Sequence, residues 1–451
     1  MSDRRRIGRL ALSCRAGILS LLAWGVLNAA CARGQQQASA PAADSVNEVL
    51  TREAAVWRAL QNNPELATLR QQHGIAAAAV VIAETYPFNP SWSNSVFGAS
   101  GPASAGITSS VPTTQKVTID LELFKQGKYR RQAASAGLSR TDFEIAFSEL
   151  GLAVRSARAF DAVLYRHEKL KLADETVKLT QDAAEKTAKL VDVPGGKVAA
   201  ADAILARAEV YDAQAQTGQA RGAYATAWTQ LNAALGATED RFQVSGSLEE
   251  TAPKSDVEGL TRQALELRPD LRARQAAVGE AEARLRLEIA NRFGNPNFGP
   301  VYELNETSVN FYGFQLTTPL PLLNRRRGEI LQREAERDRA LLALRQNETV
   351  VRQDVRAAVR RLEEAQGWVE TYRTKVLPEL KTSLEDLENL FEKNQPGVDV
   401  LRLITVRRKL LAARAGYLDA LYEASQARAD LAAAIGDPTV GRSTGIASPK
   451  P

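Results

Sequence analysis

Of 451 residues only two are cysteine, two are histidine and one is methionine. Cys14 and Cys31 both lie at the N-terminal end, so the body of the chain has no thiol pair and cannot form an internal disulfide. His73 and His167 stand more than ninety residues apart, each in a helical stretch. A metal centre needs several nitrogen or sulfur ligands brought together, and ordinary packing or surface roles account for both imidazoles. Paired acids and bases of a catalytic kind are equally thin, which argues against an enzyme, and no metal or cofactor is called for. Gly195-Gly196-Lys197 looks superficially like a phosphate-binding loop, but Val198 stands where the hydroxyl belongs and the upstream glycine is missing. A turn explains it. Outside the N-terminal segment no run of 18 or more apolar residues occurs, so no helix is expected to cross a membrane. The net charge of +5 is also deceptive. Residues 1–30 hold five arginines against Asp3, a surplus of four, so residues 31–451 carry only +1, with no basic patch for nucleic acid.

That N-terminal surplus belongs to an export signal over residues 1–32: Arg4, Arg5, Arg6 and Arg9, an apolar core, then small residues. Ala30-Cys31-Ala32 offers a small-x-small cleavage site. Cys31 after Ala29-Ala30 also resembles a lipoprotein site, with Asn28 where leucine is usual. Two readings are open for Cys31: it is acylated, or it leaves with the signal or merely follows the cut. Residues 33–44, rich in Gln, Ala, Ser and Pro, read as a disordered leader.

What the chain has in abundance is long helix. Residues 329–394 form one run whose apolar positions, among them Val355, Ala358, Leu362, Ala365, Val369, Tyr372, Val376 and Leu380, alternate steps of three and four. At ~1.5 Å per residue the run spans on the order of 100 Å, too long for a compact core. Pro378 interrupts it and predicts a kink or short break. Charges such as Arg360 and Glu364 keep such a rod solvated and contribute only tenths of a kcal/mol per pair.

The chain also repeats itself with a period of about 200 residues. Ala59-Leu60 and Pro64-Glu65-Leu66 recur as Ala264-Leu265 and Pro269-Asp270-Leu271; Gly74 answers Gly279, and Pro194-Gly195 answers Pro396-Gly397. Leu231-Asn232-Ala233-Ala234-Leu235-Gly236 returns as Leu431-Ala432-Ala433-Ala434-Ile435-Gly436. The expected plan is a first repeat over 45–236 with a β pair in 91–123 and a hairpin tip at 190–202, then a linker at 237–255. A second repeat occupies 256–436, with a β pair at 298–317 and a tip at 393–401, before a loose tail at 437–451.

In the first repeat Val117, Ile119, Leu121 and Leu123 alternate with polar neighbours, the mark of a strand with one apolar face. In the second, Phe311, Tyr312 and Phe314 weight the strand after Asn305-Glu306. Strands of roughly nine to eleven residues suit a tilted membrane crossing, but four cannot close a barrel. Either the pairs are soluble hairpins capping a bundle, or several copies share one barrel; the rods and the export signal favour the second.

At Leu320-Pro321-Leu322-Leu323-Asn324-Arg325 with Gly328, and at Arg268-Pro269-Asp270-Leu271, the sequence resembles the TolC-like outer-membrane efflux factors. Leu121-Glu122-Leu123-Phe124-Lys125-Gln126-Gly127 is a weaker copy of the first motif. The likeness spans most of residues 45–436, and the second-half junction looks most like the cobalt, zinc and cadmium cation-efflux branch. The resemblance implies a mainly α fold with a small β part. Duplicated helical hairpins would build a periplasmic α-barrel, and four strands per protomer would build a twelve-stranded outer-membrane β-barrel in a homotrimer. It implies docking through the hairpin tips, Pro194, Gly195 and Gly196 in one and Pro396, Gly397 and Leu401 in the other. The partners would be a periplasmic adaptor and an inner-membrane pump of the resistance-nodulation-division type. It further implies an acidic aperture, for which Asp399 and Asp202 are the candidates, although a carboxylate at either place also serves as a helix cap.

The function expected is therefore a passive exit duct in the outer membrane for heavy-metal cations. Competing readings are a channel for drugs or secreted polypeptide in the same architecture, a periplasmic coiled-coil scaffold without a barrel, and an unrecognised periplasmic enzyme. Scarcity of His, Cys and Met suits a path that must not trap ions but suits organic cargo equally.

Overall fold

The chain twice runs through one order of elements. In the first pass β1 (Val49–Leu50) leads to α1 (Arg52–Asn62) and α2 (Pro64–Glu84), then to the strands β2 (Ser91–Val96) and β3 (Thr113–Asp120). The long α3 (Gln126–Val191) and the returning α4 (Ala200–Leu235) complete it. The second pass has β4 (Gln243–Val244), α5 (Val257–Leu267), α6 (Pro269–Asn291), β5 (Asn297–Leu304) and β6 (Asn310–Thr317). Then come α7 (Arg327–Thr371), a π turn (Tyr372–Val376), α8 (Leu377–Glu392) and α9 (Val400–Ile435). The computed structural model describes residues 49–108, 111–191, 200–237, 243–249, 256–392 and 400–437. The expected signal and leader, Cys31, and all of the expected tail beyond Asp437 lie outside them.

Local chemistry explains the starts and stops. Thr51 caps α1 by accepting from the Ala54 amide at 3.2 Å, and Asp256 caps α5 by accepting from the amides of Glu258 and Gly259, both at 3.1 Å. Pro64 and Pro269 occupy the first turns of α2 and α6, where a missing N–H costs nothing. The 66 residues of α3 contain no proline, and at ~1.5 Å each they make a rod of about 100 Å.

The matching rod of the second pass does break, and one turn ahead of Pro378. The Leu377 amide bonds to the Tyr372 carbonyl five residues back, the wider spacing of a π turn. A proline ring crowds the carbonyl four residues earlier, here Thr374, inside that turn. Opposite the bulge lies Gly416 of α9, where an added Cβ would stand 2.6 Å from the Tyr372 hydroxyl.

Two apolar cores recur in step. One gathers Ala59, Leu66, Phe160, Val163, Leu231 and Leu235; the other gathers Ala264, Val351, Val355, Leu362, Leu431 and Ile435. Ala59 and Ala264 are both wholly buried, as the repeated Ala-Leu landmark requires. The remaining landmarks are two sides of one contact. Asn63, just before Pro64, donates from Nδ2 to the Ala234 carbonyl at 3.2 Å; Arg268, just before Pro269, donates from Nη1 to the Ala434 carbonyl at 3.3 Å. Gly236 and Gly436 end α4 and α9 in the left-handed region, at φ 69° and 81°. A Cβ on Gly236 would lie 2.7 Å from the Asn62 carbonyl oxygen, and one on Gly436 would lie 3.0 Å from the Arg268 Cα.

Two expectations need correction. Residues 243–244 lie in the stretch read as a bare linker, yet they pair in parallel with β1, Val49 opposite Gln243 and Leu50 opposite Val244. Two-residue strands carry no period that a sequence could display. The first β pair ends at Asp120 instead of 123, because the Leu121 amide bonds to the Pro296 carbonyl at 2.7 Å and Lys125, at φ 67°, swings the chain into α3.

Candidate functional site

Four strands make one antiparallel sheet in the order β2-β3-β5-β6. Its register sorts the side chains. Trp92 lies opposite Val117, Ile119 opposite Phe298, Pro300 opposite Phe314, and Tyr302 opposite Tyr312, so all share one face. The other face is mainly polar, carrying Ser91, Ser93 and Ser95, then Thr114, Lys116 and Thr118, then Asn297 and Glu303, then Gln315 and Thr317, with Val301 and Phe311 as its apolar members. Among the described residues nothing covers the apolar face: Tyr312 is 79% exposed, Phe314 76% and Trp92 67%. Phe298 and Phe314 stack at 5.6 Å between ring centres, and Tyr302 tilts against Tyr312 at 5.3 Å.

This reverses the arrangement of a water-borne sheet, which hides its apolar side. One mainly apolar and one mainly polar face, on strands of six to eight residues, is the pattern of a transmembrane β-barrel wall. Among the described residues no strand pairs with the outer edges of β2 and β6. Four strands cannot close, because the smallest barrels need about eight.

The two ends of the sheet differ. One end joins the helices α2, α3, α6 and α7. At the other the two loops are tied together, the Thr108 amide donating to the Glu306 carbonyl at 2.8 Å and the Thr108 hydroxyl to Ser308 Oγ at 2.8 Å. In the middle, Gly299 allows β5 to lie very close to β3: a Cβ there would fall 1.8 Å from the Val117 carbonyl oxygen. The apolar face needed no special motif; strand alternation carried it, and Trp92 and Phe298 could have been assigned to that face from it, whereas the close approach depends on Gly299.

The rods are clamped to one another by charge. Asp430 of α9 takes both Arg158 of α3 and Arg361 of α7, and Arg140 of α3 donates to Glu280 of α6 at 2.9 Å. The Tyr165 hydroxyl donates to Asp419 Oδ1 at 2.5 Å, joining α3 to α9, and burial followed by that bond raises its pKa well above the usual phenol range. Tyr417 is pushed up to about 12 by burial and by its hydrogen bond to Glu249. At the second repeat contact Arg268 reaches Asp270 at 2.8 Å and Asp354 at 3.0 Å. Burial would raise the Asp270 carboxyl, but the Arg268 bond and charge outweigh it and hold it below its ordinary value.

The residues proposed for the tips separate on the structure. Pro194, Gly195, Gly196, Pro396, Gly397 and Asp399 lie outside the described residues. Leu401 belongs to α9, and Asp202 sits half-buried in the first turn of α4. The histidines are not brought together: His73 Nδ1 meets Asp142 Oδ1 at 2.6 Å, while the His167 ring stacks on Tyr224 at 5.6 Å. Among the described residues no group of three His, Cys, Asp or Glu side chains could hold a metal ion, and no helix is long and apolar enough to cross a membrane.

A family model described as outer membrane efflux protein matches residues 55–237. No curated relative matches the chain. Solved structures share the fold: CusC at 18% identity and a TM-score of 0.70, over 86% of this chain and 92% of that one. The Neisseria gonorrhoeae MtrE outer membrane channel aligns at 18% identity and a TM-score of 0.68, over 86% and 89%. VceC, an outer membrane protein from Vibrio cholerae, aligns at 14% identity and a TM-score of 0.67, over 86% and 96%. The family match covers residues 55–237, within the first repeat, and the fold shared with these solved structures runs through both repeats.

Proposed function

We propose that three copies of this chain share one twelve-stranded barrel, β2 of each pairing with β6 of the next, and form the exit duct of a tripartite efflux system. The observation that carries this reading is the four-stranded sheet, apolar on its outer face and unpaired at both edges within the described residues. Lipid offers no partner for backbone N–H and C=O groups, so such edges are satisfied only by another copy. The helical rods continue the duct into the periplasm, and the tips around Pro194, Gly195, Gly196, Pro396, Gly397 and Leu401 dock on an adaptor beneath which a resistance-nodulation-division pump supplies the energy. Asp399, with Asp202, narrows the duct, and Asp399→Ala then raises single-channel conductance; an unchanged conductance in an assembled trimer returns Asp399 to a capping role.

Cysteines introduced at Ser93 on β2 and Gln315 on β6 test the assembly. Oxidation in membranes is expected to link copies in a ladder that stops at three. A protein that stays a monomer in water, with no heat-modifiable migration, defeats the reading. For cargo, heavy-metal cations are supported by the likeness of the 320–328 junction to the cation-efflux branch and by the scarcity of side chains that would trap metal along the path. Loss of the gene should sensitise cells to zinc, cobalt and cadmium. Sensitivity to dyes and detergents alone assigns the duct to drugs or secreted polypeptide.

A further inference from the structure

At the helix-joined end of the sheet the apolar face does not stop with its last paired residues. Phe298 and Leu316 belong to that face and also wall an apolar notch of about 580 Å³, completed by Leu123, Phe124, Phe293 and Leu320. The Phe124 and Phe293 rings stack at 4.8 Å, which gives the notch a fixed wall, and Leu123 and Leu320 stand exposed at its rim. Cations border it. The Arg292 guanidinium lies 4.6 Å from the centre of the Phe293 ring, and exposed Lys125 directly follows Phe124. An apolar slot with cations at its margin fits an amphiphile that has a hydrocarbon tail and an anionic head.

We propose that the notch seats an acyl chain of an anionic phospholipid from the leaflet on the helix side, with Arg292 and Lys125 at its phosphate. This rests on the barrel reading above, since it takes the apolar face to be the lipid-facing one. The notch opens on the face of the sheet, whereas a neighbouring copy approaches the edges of β2 and β6. A lipid therefore reaches it after assembly as well as before.

The test uses the full chain purified as an assembled trimer, exposed to equal amounts of phosphatidylglycerol and phosphatidylethanolamine, with bound lipid counted by native mass spectrometry. Phosphatidylglycerol is expected to be retained preferentially. Arg292→Gln and Lys125→Gln should each lower that preference about fivefold, the factor expected for one cation near a membrane phosphate. Leu320→Glu should reduce both lipids, while Arg356→Gln on the exposed face of α7 changes neither. Trimer mass and heat-modifiable migration are followed in every variant. An assembled trimer in which the double variant binds phosphatidylglycerol as wild type does overturns the lipid site and leaves the barrel standing. A wild-type chain that forms no trimeric barrel overturns both.

Discussion

At the first repeat contact Asn63 performs two tasks with one amide: Oδ1 caps α2 by accepting from the Leu66 amide at 3.1 Å, and Nδ2 donates to the Ala234 carbonyl. At the second, Arg268 stands in the same place and cannot accept, so the start of α6 has no side-chain cap. Its guanidinium spans further instead, reaching the Ala434 carbonyl, Asp270 and Asp354 together, with Asn347 adding a donor to Asp270 at 3.4 Å. One backbone geometry is thus held by a neutral amide in one copy and, in the other, by a buried arginine with two partly exposed carboxylates. The lesson concerns fragility more than strength. A buried ion cluster gains little over a well-packed neutral contact, yet it is costly to break from one side, because the remaining charges stay behind without a partner.

The comparison can be broken most severely at Arg268. Arg268→Met strands Asp270 and leaves the Ala434 carbonyl without its donor, and should cost about 3 kcal/mol in thermal unfolding of the helical part. Asn63→Ala removes a cap and one neutral bond and should cost about 1–2 kcal/mol. Equal losses at the two sites would dissolve the distinction. Next come the glycines on the other side of each contact. Gly236→Ala should cost about 2–3 kcal/mol, since a left-handed backbone is added to a clash with a carbonyl oxygen; Gly436→Ala should cost slightly less, about 2 kcal/mol. The smallest effect is acid sensitivity. Asp270 has its pKa depressed from 3.8 in the folded chain, so the unfolded chain takes up that proton first as pH falls. The stabilisation is present above about pH 4 and is lost as pH drops through the folded value. Melting curves at neutral and acid pH should show the loss in wild type, and Arg268→Met should remove that component.

How much of this was legible depended on the length of each pattern. The rods declared themselves through many turns of three- and four-residue spacing, and Pro378 marked the break, although the widened turn at Tyr372–Val376 precedes the proline because the crowding acts on a carbonyl upstream. The strands around Asn305 were readable from the aromatic weight of Phe311, Tyr312 and Phe314. Landmarks at Ala59-Leu60, Pro64 and Leu231 revealed a recurrence but not that its two ends touch, since no single sequence records which carbonyl an asparagine or arginine meets 171 or 166 residues away. The parallel pair of β1 and β4 was too short for any period. The apolar notch was hidden for another reason: Leu123, Phe293 and Leu320 come from three separate junctions and become neighbours only when β3, β5 and β6 lie side by side.

The open borders of β2 and β6 bear on how such a chain comes to exist at all. A newly made copy surrounded by water can settle its helices, whose cores are internal, but its sheet presents bare backbone and greasy aromatic rings that would adhere to the wrong surface. In the proposed trimer that portion finishes folding only when its companion copies arrive, so joining them becomes the last step of its own folding.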